Sequence, residues 1–395
     1  TLLKVTGIIA EYNPFHNGHK FQIDQTKLKA SHIVVVMSGN FVQRGDISIF
    51  SKYSRAKAAL LNGADLVVEM PTPFSLSCAN IFAKSGVFIL NQLGINMLSF
   101  GTECENIDTL KSTALYLNEI ENSLQMKELL KSGISFPTAQ TTCIKNIYGE
   151  EFSNVLRYPN NALAIEYLRS INLINAKISP FAIKREQVLH DDIVAGTTIA
   201  SATYLRELIK NNNFEKVKSF IPQNAFDIYR EEILKNSAPV FQKDIEQILL
   251  YKLRTMPLSD FKNLPDVGEG LENRLYKFAK TSCSIEEFFS LVKTKRYTLA
   301  KIRRICYCAL IGMTKENTNI FPQYIRVLGM NKKGIEILQK AKSSATIPIS
   351  TKFADLYKLK PFGIDIDITA TNIFDLATPK INPANSDFTN KIIKI

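Results

Sequence analysis

The sequence predicts an α/β protein in two parts: a parallel sheet covered by helices on both faces, then a mostly α-helical domain. Over the first ~210 residues, short apolar runs with strand composition alternate with helical runs, which is the pattern of a doubly covered parallel sheet. From Phe214 to Lys342 helical periodicity dominates and strand signals are few. The length of 395 residues, with 45% hydrophobic and 22% charged residues, suits two domains with their own cores. We therefore expect a catalytic domain over residues 1–213 and a helical domain with a mixed tail over residues 214–395.

The elements of the first part are predicted in order from the hydrophobic pattern. Strands are expected at Val5–Ala10, Ile33–Met37, Asp65–Glu69, Met97–Phe100 and Ile178–Ile183. Helices are expected at Gly18–Lys29, Lys52–Leu61, Ser75–Leu93, Ile107–Leu130 and Ser201–Lys210, with a loop between the fourth helix and the fifth strand. The last fifty residues, interrupted by Pro348, Pro361 and Pro379, are expected to pack back on the body.

The bulk composition limits the classes of protein that are possible. The formal charge of +12 indicates a polyanionic partner such as nucleic acid, although a lysine-rich proteome would also produce it. The six cysteines form no CxxC pair, which is typical of free thiols in a reducing compartment. The apolar start ends at Glu11, too early for a signal sequence, and no run of about 18 apolar residues is present. A cytoplasmic protein without a membrane span is the expectation.

The segment after the first strand carries the strongest chemical motif. His16-Asn17-Gly18-His19 begins a helix, where free backbone N–H groups and the positive end of the helix dipole favour anions. Two histidines three residues apart can donate to one phosphate, and Gly18 leaves room for it. Donors fixed in this way accelerate phosphoryl chemistry about a hundredfold to a thousandfold each. The alternative is an ordinary loop, but two of only four histidines in the chain fall in this turn.

A second motif lies near the end of the first part. Ser201 is a suitable N-cap for the helix that follows, and its hydroxyl, those of Thr197, Thr198 and Thr203, and Arg206 are suited to a phosphate chain. Taken alone, the segment equally suits a capped helix that carries an arginine.

Together these motifs resemble the nucleotidyltransferase superfamily related to class I aminoacyl-tRNA synthetases, which implies a Rossmann-like domain of HUP type. Ser201, Thr203 and Arg206 keep their places in its Ile-Ser-Ser-Thr-x-x-Arg motif, whereas Ala200 and Ala202 replace isoleucine and the second serine. Further segments look like the tRNA(Met) cytidine acetate ligase family: Glu11–His19, Met37–Gly45, Phe100–Glu103, Pro159–Asn161 and Arg296-Tyr297 with Arg303-Arg304.

This resemblance implies that ATP is bound by residues 7–20, with His16 and His19 as the catalytic pair. The ATP set that it implies is Gly7, Ile8, Ile9, Ala10, Glu11, Tyr12, Asn13, Pro14, Phe15, His16, Asn17, Gly18, His19, Lys20, Gly101, Asn160, Arg185, Ser201, Thr203 and Arg206. Gly101 follows a predicted strand end, where open α/β sheets bind ligands, though it also suits a plain turn.

Several other polar residues have weaker interpretations. The loop Ser38–Gly45, with Arg44, suits a small carboxylate or a nucleotide, or is simply a loop. Lys52 and Arg55 are expected to be surface charges. The cluster His190-Asp191-Asp192 is expected to be structural, because no further histidine is near, and no metal-binding residues are predicted.

A basic run from Leu291 to Arg304 is the candidate contact for RNA. Its cations and one aromatic ring, without any acidic residue, suit phosphates and unpaired bases, although such a run can also be a solvated helix face. The predicted tRNA-binding residues are Lys293, Lys295, Arg296, Tyr297, Lys301, Arg303 and Arg304, with Arg296, Arg303 and Arg304 expected near one helical face.

The resemblance implies a two-step reaction. Acetate attacks the α-phosphate of ATP to give acetyl-adenylate, and the wobble cytidine of elongator tRNA(Met) then takes the acetyl group. Mg²⁺ is expected to accompany ATP, and the sequence identifies no acid or base for the second step. An adenylyltransferase that makes a nucleotide cofactor and a non-catalytic RNA-binding protein are the alternatives, and the intact His16 and His19 argue against the second.

Overall fold

The computed structural model describes residues 3–185, 198–268 and 270–395. Its strands are β1 Val5–Ala10, β2 His32–Ser38, β3 Phe41–Val42, β4 Asp46–Ile47, β5 Leu66–Met70, β6 Met97–Thr102, β7 Ser179–Lys184, β8 Ile325–Met330, β9 Ile349–Ser350 and β10 Ile393–Lys394. The helices up to the second motif are α1 Asn17–Lys27, α2 Lys52–Leu61, α3 Thr72–Ser75, α4 Ala79–Gln92, α5 Ile107–Ile120, α6 Leu124–Lys131, α7 Phe136–Tyr148, α8 Glu150–Val155, α9 Pro159–Leu173 and α10 Ala202–Lys210.

Helices dominate the remainder of the chain. They are α11 Phe214–Val217, α12 Gln223–Leu234, α13 Glu246–Thr255, α14 Leu258–Lys262, α15 Leu271–Thr281, α16 Ile285–Val292, α17 Leu299–Ile311, α18 Lys332–Ala341, α19 Phe353–Lys358, α20 Ile364–Ala377 and α21 Ser386–Thr389. Short 3₁₀ turns occupy Gln242–Ile245 and Lys315–Thr318.

The central sheet has the order β10-β8-β5-β2-β1-β6-β7, with β9 paired to β8. Its five N-terminal members, β5, β2, β1, β6 and β7, are all parallel. Numbered along the chain these five strands run 3-2-1-4-5, which is the order of doubly wound nucleotide-binding folds. The order reverses between β1 and β6, so a crevice for ligands opens at the carboxyl ends of those two strands.

Each face of the sheet is buried under its own set of helices, because the side chains of a strand alternate between faces. Val34 and Val36 point into a core with residues of α4, α5, α7 and α9. Ile33, Val35 and Met37 point into the opposite core, which α1, α2, α10 and α12 cover. A third core is built by α13 and α15–α17 together with α20, and Phe41 of β3 and Ile47 of β4 pack into it. The predicted fold class, a parallel α/β sheet followed by mostly helical chain, is confirmed.

The chain after residue 213 also contributes to the sheet. β8 pairs antiparallel with β5, and β10 at the end of the chain pairs with β8. The tail therefore packs back on the body, as expected. β8, β9 and β10 follow residue 213 in the chain but belong to the sheet of the first part. The division into two domains at residue 213 stays a prediction.

Other differences from the predicted elements have local causes. The expected helix Ile107–Leu130 is two helices, because the Ser123 side chain accepts from the Met126 backbone N–H and starts α6 anew. The expected helix Ser75–Leu93 is likewise divided into α3 and α4. The expected loop before β7 contains α7, α8 and α9.

Candidate active site

The candidate site lies at the point where the sheet order reverses. β1 ends at Ala10 and leads through a tight turn into α1, while β6 ends at Thr102 on the neighbouring strand. In the turn, Tyr12 takes the left-handed backbone conformation with a φ of 50°, and its ring packs edge-on against Phe15 and His19. Such conformations are uncommon for residues other than glycine and are concentrated at functional sites.

The two histidines form a stacked pair at the start of α1. His16 is the N-cap: its Nδ1 accepts a hydrogen bond from the Gly18 backbone N–H at 3.0 Å. Nδ1 of His19 accepts from the His16 backbone N–H at 3.2 Å, and the ring centroids are 3.6 Å apart. Because each Nδ1 is an acceptor, a neutral ring must carry its proton on Nε2. Both imidazoles are thereby fixed as Nε2–H donors.

Both rings are neutral in the folded protein. Burial, helped by the Arg185 and Arg206 guanidiniums, lowers the pKa of His16 to about 3. Burial, followed by the electrostatic effects of the His16 ring and the Arg185 guanidinium, lowers the pKa of His19 well below its ordinary value. A neutral donor pair of this kind can bind a phosphate oxygen without first losing or gaining a proton.

A wholly buried arginine holds the loops that follow β1 and β2. Arg55 of α2 donates to the carbonyl oxygens of Glu11 at 2.6 Å, Ser38 at 3.1 Å and Phe50 at 3.1 Å, and also to that of Gly39. These partners are all backbone carbonyls, and burial lowers the pKa of Arg55 to about 10. The guanidinium therefore joins the chain entering the histidine turn to the chain leaving β2.

The second motif packs directly against the histidine turn. Arg206 of α10 donates to the Asn13 carbonyl at 2.8 Å and to the Thr203 hydroxyl at 3.1 Å. Asn17 donates to the Thr198 carbonyl at 2.8 Å. Ser201 is the N-cap of α10, as predicted, and its hydroxyl accepts from the Tyr204 backbone N–H at 3.1 Å. Thr197 and the cluster His190-Asp191-Asp192 lie outside the described residues.

On the β6 side, a chain of polar contacts positions Arg185. Its guanidinium donates to the Asn160 side-chain oxygen at 3.0 Å, and the Asn160 amide donates to Glu103 at 2.6 Å. A Cβ on Gly101 would lie 2.7 Å from Cδ of Arg185, so the glycine is needed for this arginine to cross the strand end. Asn161 closes the turn by accepting from the backbone N–H groups of Glu103 and Cys104. The structure thus brings Gly101, Asn160 and Arg185 together, and their expected contact with ATP stays a prediction.

The remaining members of the predicted ATP set play different parts. A Cβ on Gly7 would lie 2.7 Å from the Leu90 side chain, so this glycine serves the packing of β1 against α4. A Cβ on Gly18 would lie 2.9 Å from Cε1 of His16, so this glycine makes room for the ring as well as for a ligand. Lys20 pairs with Asp24 one turn further along α1 and stays partly exposed.

The hairpin β3–β4 joins the site to the helical part of the chain. Arg44 at its tip is exposed, and its charge contributes to the lowered pKa of His19 after burial, His16 and Arg185. Gly45 has a φ of 78°, and a Cβ there would lie 2.9 Å from the Ala300 carbonyl oxygen of α17. Arg304 of α17 donates to the Gln43 carbonyl at 3.2 Å. The hairpin therefore contacts the basic run directly.

The basic run itself is not one helix, which corrects the sequence interpretation. α16 ends at Val292, and α17 begins only at Leu299 with Thr298 as its N-cap. Lys293, Lys295 and Arg296 lie in the connecting loop, so Arg296 does not share a helical face with Arg303 and Arg304. Lys293 and Lys295 are exposed, whereas Lys301, Arg303 and Arg304 are half-buried.

Tyr297 differs from the expected role as an open stacking ring. It is only 9% exposed and belongs to the third core. Its ring is flanked by Arg296 and Lys301, whose charges lie 5.9 and 5.7 Å from the ring centroid. The structure therefore uses it mainly to pack the loop between α16 and α17.

The expectation that Lys52 and Arg55 are surface charges is wrong. Lys52 is fully buried, 2.7 Å from Glu69 and 2.8 Å from Asp387. Arg326 of β8 completes the cluster, 3.3 Å from Glu69 and 2.5 Å from Asp387. Burial opposes the charge on Lys52, but Asp387 and Glu69 raise its pKa above the ordinary value.

The sequence does contain a signal for these buried cations. Lys52, Arg55, Ala56, Ala59 and Leu60 follow the spacing of one helical face, and all five are buried. A cation that shares a helical face with alanine and leucine residues is therefore expected to point toward the core.

Two kinds of feature are absent from the part of the chain that the structure describes. Within residues 3–185, 198–268 and 270–395, no group of three or more His, Cys, Asp or Glu side chains is placed to hold a metal ion. Over those same ranges, no helix combines the length and the apolarity that crossing a bilayer requires.

The doubly wound sheet, with a neutral histidine pair at the helix start beside its switch point, defines a nucleotidyltransferase of the HxGH class. The model of the family HIGH Nucleotidyl Transferase matches residues 3–388. Among curated proteins, the chain is 36% identical to a tRNA(Met) cytidine acetate ligase of Clostridium tetani, over 99% of this chain and 100% of that protein. It is 39% identical to one of Thermoanaerobacter sp., over 99% and 100%.

Two solved structures of a further protein also match this chain over its whole length. Thermotoga maritima TmcAL bound with alpha-thio ATP matches with a TM-score of 0.92 at 32% identity, over 100% of both chains. The apo form of that protein matches with a TM-score of 0.93 at 31% identity, also over 100% of both chains. The chain belongs to the tRNA(Met) cytidine acetate ligase family.

Proposed function

We propose that this chain joins acetate to ATP as acetyl-adenylate and then acetylates the wobble cytidine of elongator tRNA(Met). In the first step an acetate oxygen attacks the α-phosphorus, a P–O bond forms, and pyrophosphate leaves. In the second step the exocyclic amine of the cytidine attacks the acetyl carbonyl, loses a proton, and AMP leaves. The product is N4-acetylcytidine.

The observation that carries this proposal is the pair of imidazoles locked as neutral Nε2–H donors at a helix start. Charge builds up on phosphate oxygens as acetate attacks, and donors that are already oriented stabilise it without reorganising. The desolvated guanidiniums of Arg185 and Arg206 support the same role, because burial lowers the pKa of each and an incoming triphosphate would compensate its charge.

The roles of the individual residues follow from their positions. His16 and His19 would stabilise the transition state, while residues 7–20 with Gly101, Asn160 and Arg185 would surround the nucleotide. Thr203 and Arg206 would complete the phosphate site, and Ser201 would act through the N-cap of α10. Mg²⁺ would be held largely by the phosphates of ATP, since this ion usually takes only one or two protein carboxylates.

The basic run would take part in the second step. Lys293, Lys295 and Arg296 lie in an acid-free loop, and Lys301, Arg303 and Arg304 lie on the adjoining helix that contacts the hairpin. Cations in such an arrangement suit the phosphates of tRNA. Tyr297 would pack the loop that carries these cations against the third core rather than stack on a base.

The test is acetate-dependent exchange of labelled pyrophosphate into ATP, measured without tRNA for the unaltered chain and for His16→Ala. Exchange that requires acetate and is reduced about a hundredfold or more in His16→Ala supports the proposal. Exchange that proceeds equally without acetate, or none at all with acetate and tRNA present, overturns it. The second outcome would favour a nucleotide as the acceptor of AMP.

A further inference from the structure

Two neighbouring helices outside the candidate site present exposed faces without negative charge. On α13 the exposed positions Gln247, Tyr251, Arg254 and Thr255 are spaced by four, three and one residues, so they lie on one face. The Tyr251 ring is 69% exposed. The other exposed positions of α13, Gln247 and Thr255, are uncharged, so this face differs from the mixed charges of an ordinary solvated helix.

The exposed face of α15 has the same composition. Asn273, Tyr276, Lys277, Lys280 and Thr281 are spaced by three, one, three and one residues and again include no carboxylate. The Tyr276 ring is 36% exposed and is held at its edge by Phe261, with ring centroids 6.1 Å apart. The Lys280 ammonium lies 4.9 Å from its centroid. The ring is therefore fixed in place with part of its surface open.

The two faces adjoin at the ends of their helices. Arg254 donates to the Ser282 carbonyl at 2.7 Å, and Lys280 donates to the Arg254 carbonyl. None of the ion pairs within 4.0 Å among the described residues involves Arg254, Lys277 or Lys280. A guanidinium has five donors and an ammonium has three, so both capping cations keep donors for a ligand.

This surface continues into the basic run. Arg274 of α15 donates to the Val292 carbonyl at 2.8 Å and to the Leu291 carbonyl at the end of α16. The loop with Lys293 and Lys295 starts at that point. Arg274 thus links α15 to the loop that carries Lys293 and Lys295, while the exposed carboxylates of Glu286 and Glu287 lie at the other end of α16.

We infer that the exposed faces of α13 and α15 form a second RNA-binding surface, which contacts tRNA beyond the nucleotide that is modified. Arg254, Lys277 and Lys280 would bind backbone phosphates, and Tyr251 and Tyr276 would stack on unpaired bases, which is how proteins bind single-stranded loops. This inference rests on the proposed function in so far as tRNA is taken to be the RNA.

The experiment measures tRNA binding to the full chain for Tyr251→Ala and Lys277→Glu. Lys127→Glu on α6 is the matched control, because it reverses another exposed lysine on the sheet part of the chain. Tyr251→Ala is expected to weaken binding about tenfold through loss of one stacking contact. Lys277→Glu is expected to weaken binding and to lower the slope of log affinity against log salt by about one. Lys127→Glu should change neither.

Pyrophosphate exchange without tRNA separates this inference from the proposed function. Exchange at the unaltered rate in both variants, together with weaker tRNA binding, supports the surface. Unchanged tRNA affinity and salt slope in both variants overturn it, whatever the exchange assay gives. Absence of exchange in the unaltered chain, even with acetate and tRNA present, would overturn the proposed reaction, while direct binding still decides the surface.

Discussion

Gly18→Ala is the perturbation that tests most directly whether the position of the His16 ring limits the rate. The new Cβ would lie 2.9 Å from Cε1 of His16, closer than real Cβ atoms approach, and 3.0 Å from Nδ1, which is tighter than nine in ten such contacts. The ring is also stacked on His19, so it can move only by breaking the hydrogen bond from the Gly18 backbone N–H. We expect the Nε2–H donor to be displaced from the phosphate site.

The structure separates the effect on stability from the effect on rate. Loss of the N-cap bond costs about 1 kcal/mol. Replacing glycine by alanine inside a helix offsets roughly the same amount, because it restricts the unfolded chain. The free energy of unfolding should therefore change by less than about 1 kcal/mol, whereas the exchange rate should fall about a hundredfold.

Gly133→Ala supplies the matched control. Gly133 has a φ of 85°, and nothing lies within 4 Å of a Cβ placed there. Alanine in that conformation costs about 1 kcal/mol without touching the site. The two variants should therefore show opposite profiles: one loses exchange and keeps its urea midpoint, and the other loses stability and keeps exchange. If Gly18→Ala retains the exchange rate of the unaltered chain, the reasoning about His16 is wrong.

Three further predictions concern other parts of the molecule. The pKa of His16 is about 3 in the folded protein and 6.5 in the unfolded chain, so its contribution to the free energy of unfolding is fully present above about pH 6.5. Below that pH the contribution declines by about 1.4 kcal/mol per pH unit, and urea titrations should show a shallower decline in His16→Asn. An equal decline in the variant would contradict this assignment. Asp387→Asn leaves Lys52 and Arg326 with one carboxylate and should lower the free energy of unfolding in urea by about 3 kcal/mol or more. The control Asp355→Asn, at an exposed ion pair, should lower it by less than about 1 kcal/mol, and equal losses in the two variants would show that the buried cluster is not coupled. Asn160→Ala removes the acceptor of Arg185 and should raise the KM for ATP about tenfold with a smaller change in kcat, whereas an unchanged KM would remove Arg185 from the nucleotide site.

The sequence predicted those parts of the fold whose signal is local. β1 and α2 were predicted with their observed boundaries, because a continuous apolar run and a helical stripe are each visible within ten residues. β8 was not, since its strand carries Arg326, whose burial makes sense only with Asp387 in the tail and Glu69 on β5. The hairpin β3–β4 has two residues per strand and packs against α17, far away in sequence.

The same distinction applies to the candidate site. The histidine turn could be predicted because its capping contacts lie within four residues of one another. The role of Glu103 in placing Asn160 and Arg185 could not, because it depends on strands β6 and β7 pairing in register. Residue type and spacing identify a donor, but the contacts that orient the donor come from the folded sheet.

The cations near the histidine turn differ in what they bind, and that difference indicates how the site works. Arg55 is fully buried and donates to four backbone carbonyls. It therefore fixes the loops after β1 and β2 and has few remaining donors for a ligand. Arg185 and Arg206 make one or two protein contacts each and lie beside the histidines, so they retain donors for phosphate. Arg44 is exposed on a hairpin that also contacts the basic helix α17. In the proposed function the ATP side is therefore already fixed by protein contacts before substrate binds, and the exposed Arg44 is carried by the element that tRNA bound to α17 would contact.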